Sequence, residues 1–208
     1  MTTTSAPTGG AAAGMTASDE RYGAVSIFLH WTIAALILTQ IGLGWYMNEV
    51  LPDHTPAQAS VQSLHISVGL TTLILILIRI GVRITHRGPP LRADMPAWEK
   101  LLARATHWLF YALMLIMPLT GWALVSSGHN PVRFWGMGWP RLPGVGFLTG
   151  PANRDARESL AHLHVYTLIW IVFANLFLHV AGALKHQFDG HPVLWRVAPF
   201  RFLKRAPR

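Results

Sequence analysis

The 208-residue chain contains no cysteine, and this limits the ways in which it can hold a metal. Disulfide bonds, zinc sites with Cys ligands, iron–sulfur clusters and haem attached through thioether bonds are all excluded. A metal must therefore be held by histidine, methionine or carboxylate side chains, or by a cofactor that is bound without covalent attachment. Histidine is the most abundant of the strong ligands, with 11 copies.

Charged residues are also scarce, at 12% of the chain, whereas a soluble domain has about 25%. Hydrophobic residues make up 51%, and the mean hydropathy is positive at +0.34. Lys and Arg outnumber Asp and Glu by 17 to 9, which gives a net charge of +8. The basic residues flank long apolar runs, so we expect contact with membrane lipid and no nucleic-acid partner.

The chain divides into a short polar tail and one apolar domain. Residues 1–20 are dominated by Thr, Ala, Gly and Ser without apolar periodicity, and they predict a disordered N-terminal tail. Residues 21–208 are expected to form a single domain with four membrane spans.

Four apolar stretches of about 20 residues each are long enough to cross roughly 30 Å of hydrocarbon as α-helices. The sequence therefore predicts an all-α fold, an integral membrane four-helix bundle. The stretches cover about residues 25–47, 64–84, 106–125 and 160–184.

The distribution of basic residues predicts the orientation of the bundle. The loop between the first two stretches, residues 48–63, contains no Lys or Arg. The loop between the second and third stretches and the segment after the fourth are both rich in Lys and Arg. By the positive-inside rule these two segments, and with four spans both termini, are expected to be cytoplasmic. The cytoplasmic end is called the inner end below, and the opposite end the outer end.

Six histidines lie within the predicted spans or at their ends, where an ionisable side chain is costly and usually has a functional partner. The antiparallel order of the spans sorts them by depth. The inner candidates are His30, His107 and His179, and the outer candidates are His65, His162 and His164.

The fourth stretch is the only one with histidines at both depths. His164 and His179 are 15 residues apart, about 22 Å along a helix, with an angular offset of about 60°. His162 is offset from His179 by about 100° in the other direction. One helix with a His at each depth, opposed by single histidines on its neighbours, is the arrangement that two stacked haems require. Close approach of helices or of a flat ring is also favoured by Gly42, Gly44, Gly69 and Gly121.

In these segments the chain resembles the bacterial cytochrome b561 family. The similarity spans about residues 21–199 and lies in the order and spacing of several short motifs, no one of which is decisive. These motifs are RYGAVSIFLHW at residues 21–31, HISVG at 65–69, HWLFY at 107–111, PLTGW at 118–122, GHNPVRFWG at 128–136 and HVAGALKHQF at 179–188.

The resemblance implies a bacterial inner-membrane protein that binds two b-type haems. By position, His30 and His179 would bind the inner haem, and His65 and a His of the fourth span would bind the outer haem. The usual interval of 14 residues would place that second ligand at Val165, so the nearest histidine, His164, is the expected ligand and His162 its competitor. A local bulge or an altered tilt would be needed to accommodate the difference.

The resemblance also implies quinone as a redox partner, and one similar type of protein oxidises superoxide at the outer face and reduces ubiquinone. Around the inner interface, the side chains able to contact a quinone are those of Arg79, His107, Lys185 and His186. The expected function is therefore transmembrane electron transfer from superoxide to ubiquinone, that is, an oxidoreductase activity. The alternatives are a haem b anchor subunit for a partner dehydrogenase or hydrogenase, and a haem-free transporter that uses the histidines for protons or metal.

Overall fold

The computed structural model describes residues 21–86, 88–90, 95–128, 130–189 and 193–199. The expected disordered tail, residues 1–20, lies outside these described residues. So do several of the basic residues used to predict the orientation, namely Arg87, Arg92, Arg201, Lys204, Arg205 and Arg208.

Four long apolar helical segments form the bundle, as the sequence predicted. They comprise 27, 30, 30 and 38 residues, each long and apolar enough to cross a bilayer. The first consists of α1, Ala24–Trp45, continued by a π-helical turn, Tyr46–Val50. The second and third are α2, Pro56–Thr85, and α3, Ala97–Ser126. The fourth begins with a short 3-10 turn, Pro151–Asn153, and continues through α4, Arg154–His162, a π-helical turn, Leu163–Thr167, and α5, Leu168–Phe188. A short helix, α6, follows at Val193–Val197.

The helices extend beyond the apolar stretches because their ends are stabilised in the interfacial region. Thr55 caps the N-terminus of α2, where its hydroxyl accepts a hydrogen bond of 3.2 Å from the Gln58 N–H, and Pro56 occupies the first helical position. At the outer end of α3, the Arg141 guanidinium donates to the backbone carbonyls of Ser126 and Gly128 at 2.9 and 2.7 Å. These carbonyls lie at the helix C-terminus and lack helical partners.

Few side chains are buried inside the bundle, as expected for a protein surrounded by lipid. Helix α1 packs on α2, α2 on α3, and α3 on α5. One apolar cluster joins Leu29, Ile33 and Ile76, and a second joins Leu113, Leu168 and Val172. Large apolar side chains such as Trp108, Trp170 and Phe177 are at least 70% exposed. On a four-helix membrane protein these side chains face the acyl chains.

The outer loop between the third and fourth segments forms a small β-hairpin that packs on α2. Its strands, Arg133–Phe134 and Met137–Gly138, are antiparallel, and both turn residues, Trp135 and Gly136, have positive φ angles of 50° and 84°. The Trp135 backbone N–H donates to Ser67 Oγ at 3.0 Å, and its indole N–H donates to Thr71 Oγ1 at 3.1 Å. The hairpin is thereby fixed to the outer half of α2.

At the opposite end, the segments that flank the bundle form a set of contacts that we call the terminal clasp. The Tyr22 N–H donates to the Arg196 carbonyl at 3.1 Å, and the Trp31 indole N–H donates to the Val197 carbonyl at 2.7 Å. The Arg196 guanidinium donates to the Pro90 carbonyl at 2.9 Å. The segments before α1, between α2 and α3, and after α5 therefore meet at one end of the bundle, the end expected to be inner.

Candidate haem-binding sites

Two histidines from different helices face each other in the outer half of the bundle. His65 lies on α2, and His164 lies in the π-helical turn between α4 and α5. Their ring centroids are 6.4 Å apart, with ring planes at 87°. Two imidazoles that share one metal as opposite axial ligands have centroids roughly 6 Å apart, because each metal–nitrogen bond is about 2.0 Å. The separation of this pair fits that geometry.

The π-helical turn provides a local bulge, which is one of the two adjustments, a bulge or an altered tilt, that the resemblance required. A π-turn accommodates one additional residue within a continuous helix, and such turns occur frequently at functional sites. This turn covers residues 163–167 and contains His164 itself. It absorbs the extra residue in the interval to His179, so that His164 faces His65.

His162 has different surroundings. It is the last residue of α4, its side chain is exposed, and its ring contacts Tyr166 at a centroid distance of 5.2 Å. The structure therefore brings His164 to His65 and directs His162 elsewhere.

Helix α3 orients the His164 ring through Thr120, a residue that the sequence did not single out. The Thr120 hydroxyl donates its one proton to the Met117 carbonyl at 2.8 Å. Its oxygen lies 2.8 Å from His164 Nδ1, where it can accept the Nδ1 proton. In this tautomer Nε2 has a free lone pair, as a metal ligand requires.

Glycines maintain the space around this pair. A Cβ on Gly121 would lie 3.0 Å from His164 Cε1, tighter than ordinary contact, and one on Gly44 would lie 3.6 Å from His65 Cε1. A Cβ on Gly69 would lie only 2.6 Å from Gln40 Nε2, which donates a 3.0 Å hydrogen bond to the His65 carbonyl. Gly42, in contrast, has no atom within 4 Å of a Cβ. The predicted role of glycines in close approach thus fits Gly121 and Gly69, whereas a Cβ on Gly44 would make only ordinary van der Waals contact.

A large cavity connects these residues. It has a volume of about 1900 Å³, whereas pockets for ordinary small ligands have roughly 300–1,000 Å³. His65 and His164 lie in its wall, and His65 Nδ1 is buried without a hydrogen-bond partner among the described residues. Two imidazoles beside a cavity of this size can each offer a ring nitrogen to a metal, and they are therefore suitable ligands for a flat cofactor such as haem. Farther out, the wall contains Arg133, Arg154 and Arg157.

The inner half contains three histidines, and the rings of His30 and His107 both lie close to that of His179. The His30 ring lies 6.2 Å from that of His179, almost the same separation as in the outer pair, and the His107 ring lies 5.6 Å away on the other helix, α3. The His30 and His179 side chains are partly buried, whereas that of His107 is exposed, and its Nδ1 lies 2.6 Å from the Ala103 carbonyl. The pair formed by His30 and His179 therefore matches the outer pair in both distance and burial.

The four side chains expected to contact a quinone lie in two places. The Arg79 guanidinium is 3.5 Å from His30 Nδ1 and also donates to the Ser26 carbonyl at 3.4 Å. Arg79 and His107 thus lie beside the inner histidines. Lys185 and His186 instead both contact Glu99, at 3.0 and 3.8 Å. Glu99 was not identified from the sequence, because an acidic residue in the first turn of a helix is usual.

A buried polar contact fixes α5 against α3 beside the inner histidines. The Asn175 side chain is 2% exposed and donates to the Thr106 carbonyl at 3.2 Å. Asn175 precedes His179 by one turn, and Thr106 immediately precedes His107. Asn175 was not singled out from the sequence. The signal that could have identified it is an amide in the middle of an apolar span.

Comparison with known proteins identifies the family of the chain. The family model described as prokaryotic cytochrome b561 matches residues 21–199. The chain belongs to this family. As a member of the prokaryotic cytochrome b561 family it is a multi-pass membrane protein that binds b-type haem and functions in transmembrane electron transfer.

Three curated relatives illustrate the range of the family. Cytochrome b561 homolog 2 of Escherichia coli is 28% identical, over 83% of this chain and 88% of the relative. The probable superoxide oxidase CybB of Yersinia pestis is 24% identical, over 81% of this chain and 90% of the relative. Cytochrome b562 of Cereibacter sphaeroides is 33% identical, over 52% of this chain and 68% of the relative.

Proposed function

We propose that the chain transfers electrons from superoxide at the outer end of the bundle, through two b-type haems, to ubiquinone at the inner end. The observation that carries this proposal is the pair of facing histidines at each of two depths, with centroid distances of 6.4 and 6.2 Å. We place the protein in the bacterial inner membrane, with both termini in the cytoplasm. The similarity to a probable superoxide oxidase supports the choice of electron donor.

In this proposal His65 and His164 hold the outer haem, and His30 and His179 hold the inner haem. Bound haem supplies an iron that takes up and releases one electron at a time. The protein contributes the orientation of its ligands: Thr120 fixes the tautomer of His164, and Gln40 fixes the backbone of His65. Asn175 fixes the helix that carries His179.

Positive charge at the outer cavity favours an anionic electron donor. Arg133, Arg154 and Arg157 line the cavity that reaches His65 and His164. The Arg154 charge is partly balanced by Glu158 at 2.7 Å. The same wall contains Glu49 and Glu158, so the three Arg leave a net charge of about +1 along it. A net positive charge around a cleft raises the local concentration of a small anion, and superoxide carries a single negative charge.

Electrons would leave at the inner end, where Arg79 and His107 lie beside the inner histidines and can donate hydrogen bonds to quinone carbonyl oxygens. Lys185 and His186 lie about two helical turns farther toward the end of the bundle. Two superoxide ions each lose one electron and become O₂. One quinone accepts both electrons and two protons and becomes quinol. An acceptor at the inner end gives both haems a role in series.

The function can be tested with purified protein in liposomes supplied with ubiquinone. Superoxide generated outside should reduce the haems within the mixing time, and quinol should accumulate at half the rate of the superoxide loss that the protein adds to spontaneous dismutation. Absorption at the haem bands and quinol analysis measure the two steps. Superoxide dismutase added to the same mixture is the control, and it should abolish both signals.

Haems that stay oxidised under superoxide would contradict the proposal. If they are reduced instead by a dehydrogenase or hydrogenase that co-purifies with the chain, the protein is an anchor subunit. If no haem is present at all, the electron-transfer proposal is wrong.

Substitution of Gly121 by Ala should disturb the outer haem specifically. The new methyl group would lie 3.0 Å from His164 Cε1, so the ring must tilt or shift by a few tenths of an ångström. We expect a shifted midpoint potential for the outer haem and an unchanged inner haem, as measured by redox titration. Gly42→Ala is the matched control, because a Cβ there meets no atom within 4 Å. Identical titrations for the two variants would show that Gly121 does not set the position of His164.

A further inference from the structure

A carboxylate is nearly enclosed at the inner end of the bundle. The Glu99 side chain, in the first turn of α3, is only 11% exposed. Its Oε1 lies 3.0 Å from Lys185 Nζ, and its Oε2 lies 3.8 Å from His186 Nε2. Lys185 itself is 51% exposed and also contacts Asp189 at 2.8 Å. The carboxylate thus has one partner that reaches water and one that is largely enclosed, since the His186 side chain is 16% exposed.

The cluster of Glu99, Lys185 and His186 lies at the interface between α3 and α5, as do His107 and His179. Both the contact between Glu99 and His186 and the contact between His107 and His179 join α3 to α5. Glu99 precedes His107 by eight residues, and His186 follows His179 by seven, which corresponds to about 11–12 Å along each helix. The cluster therefore lies two helical turns from the inner histidines, toward the end of the bundle.

Small residues occupy the interval between the two levels. Ala103 lies midway between Glu99 and His107 on α3, and Gly182 and Ala183 lie midway between His179 and His186 on α5. A Cβ on Gly182 would meet no atom within 4 Å. At these three positions no long apolar side chain separates the carboxylate from the inner histidines. A carboxylate that exchanges protons with a Lys or His partner is a common proton donor in proteins.

Reduction of a quinone at the inner end requires protons as well as electrons. Each quinone takes up two electrons and two protons, and each carbonyl oxygen becomes a hydroxyl group. The electrons arrive through the haems, whereas the protons must come from the water at the inner face. A site enclosed by apolar helices needs a polar route for them, because protons do not cross hydrocarbon unaided.

We propose that Glu99 is the proton-uptake residue of the inner site, which exchanges protons with water through Lys185 and passes them inward past His186. This inference rests on the proposed reduction of quinone at the inner end. The residues that face Glu99 from α5 are Lys185 and His186, and its neighbour on α3 is Lys100. Glu99 does not bind the quinone in this scheme. It limits the rate at which the reduced quinone is protonated.

The test uses full-length protein in detergent, with its haems reduced by half a molar equivalent of dithionite per haem, because each dithionite supplies two electrons. It is then mixed with ubiquinone-1 in a stopped-flow instrument, and haem reoxidation is followed by absorbance. Glu99→Gln should slow reoxidation by about 10-fold, below the range for a group that donates directly to substrate. A small permeant acid such as formic acid should restore much of the rate by carrying protons in place of the carboxylate. Glu99→Asp, which keeps a carboxylate, should retain most of the rate.

Asp189→Asn is the matched control, because Asp189 pairs with the same Lys185 but is 47% exposed at the end of the helix. It should leave the rate unchanged. A wild-type rate in Glu99→Gln, or a slow rate that formic acid does not restore, would overturn the proton-uptake role. Wild-type haems that are not reoxidised by ubiquinone would instead overturn the proposed function, and the proton route with it.

Discussion

Replacement of His65 by Ala should remove the outer haem and leave the inner haem in place, whereas His30→Ala and His179→Ala should each remove the inner haem. The reason is that each pair faces across a different level of the bundle, with centroid distances of 6.4 Å for the outer pair and 6.2 Å for the inner pair. A haem with one axial histidine removed loses a bond on which its retention depends. The haem content should fall from two per chain to one in each variant.

A pyridine haemochrome assay measures the content, and redox titration shows which haem is lost. His86→Ala is a suitable control, because His86 is exposed at the end of α2 and its ring lies 2.8 Å from the hydroxyl of its neighbour Thr85, far from both histidine pairs. It should retain both haems. If His30→Ala and His65→Ala lost the same spectral component, the assignment of pairs to two levels would be wrong.

The second large effect is expected when the two neighbouring histidines of the fourth segment, His162 and His164, are compared. His164→Ala should lose the outer haem, whereas His162→Ala should keep it with an unchanged spectrum. His164 faces His65 and is fixed by Thr120 at 2.8 Å, while His162 is exposed and contacts Tyr166. The two positions are only two residues apart, so each variant serves as the control for the other.

Haem content and the optical spectrum of each purified variant measure this difference. Electron paramagnetic resonance of the oxidised haem adds a second readout, because it reports the axial ligands directly. Loss of the outer haem from His162→Ala together with its retention in His164→Ala would reverse the assignment.

The membrane spans were predictable because an apolar run of about 20 residues has few other stable locations. Their ends were less predictable. Helix α2 begins at Pro56, eight residues before the predicted stretch, and α3 begins at Ala97, nine residues before it. Hydropathy locates the part of a helix in hydrocarbon, whereas a helix can continue through the interface on caps such as Thr55.

The proximity of His30 to His179 and of His65 to His164 was predictable for a related reason, since an ionisable residue in a span is rare. Their role as haem ligands stays a prediction. Thr120, Gln40 and Glu99 were not, because their roles depend on how one helix is positioned against another. Thr120 becomes informative only when α5 places His164 beside it. The β-hairpin at Arg133–Gly138 was also missed, because strands of two residues are too short to show alternation.

The π-helical turn at Leu163–Thr167 has a consequence for how the fourth segment tolerates insertions and deletions. In a regular α-helix, one added residue rotates everything beyond it by about 100° and would turn one of two ligands away from its partner. A π-turn confines that change to a single turn and leaves the residues on either side in their original orientation. The interval between His164 and His179 is therefore not fixed by regular helix geometry alone. One residue can be gained or lost at this turn while His164 still faces His65 and His179 still faces His30.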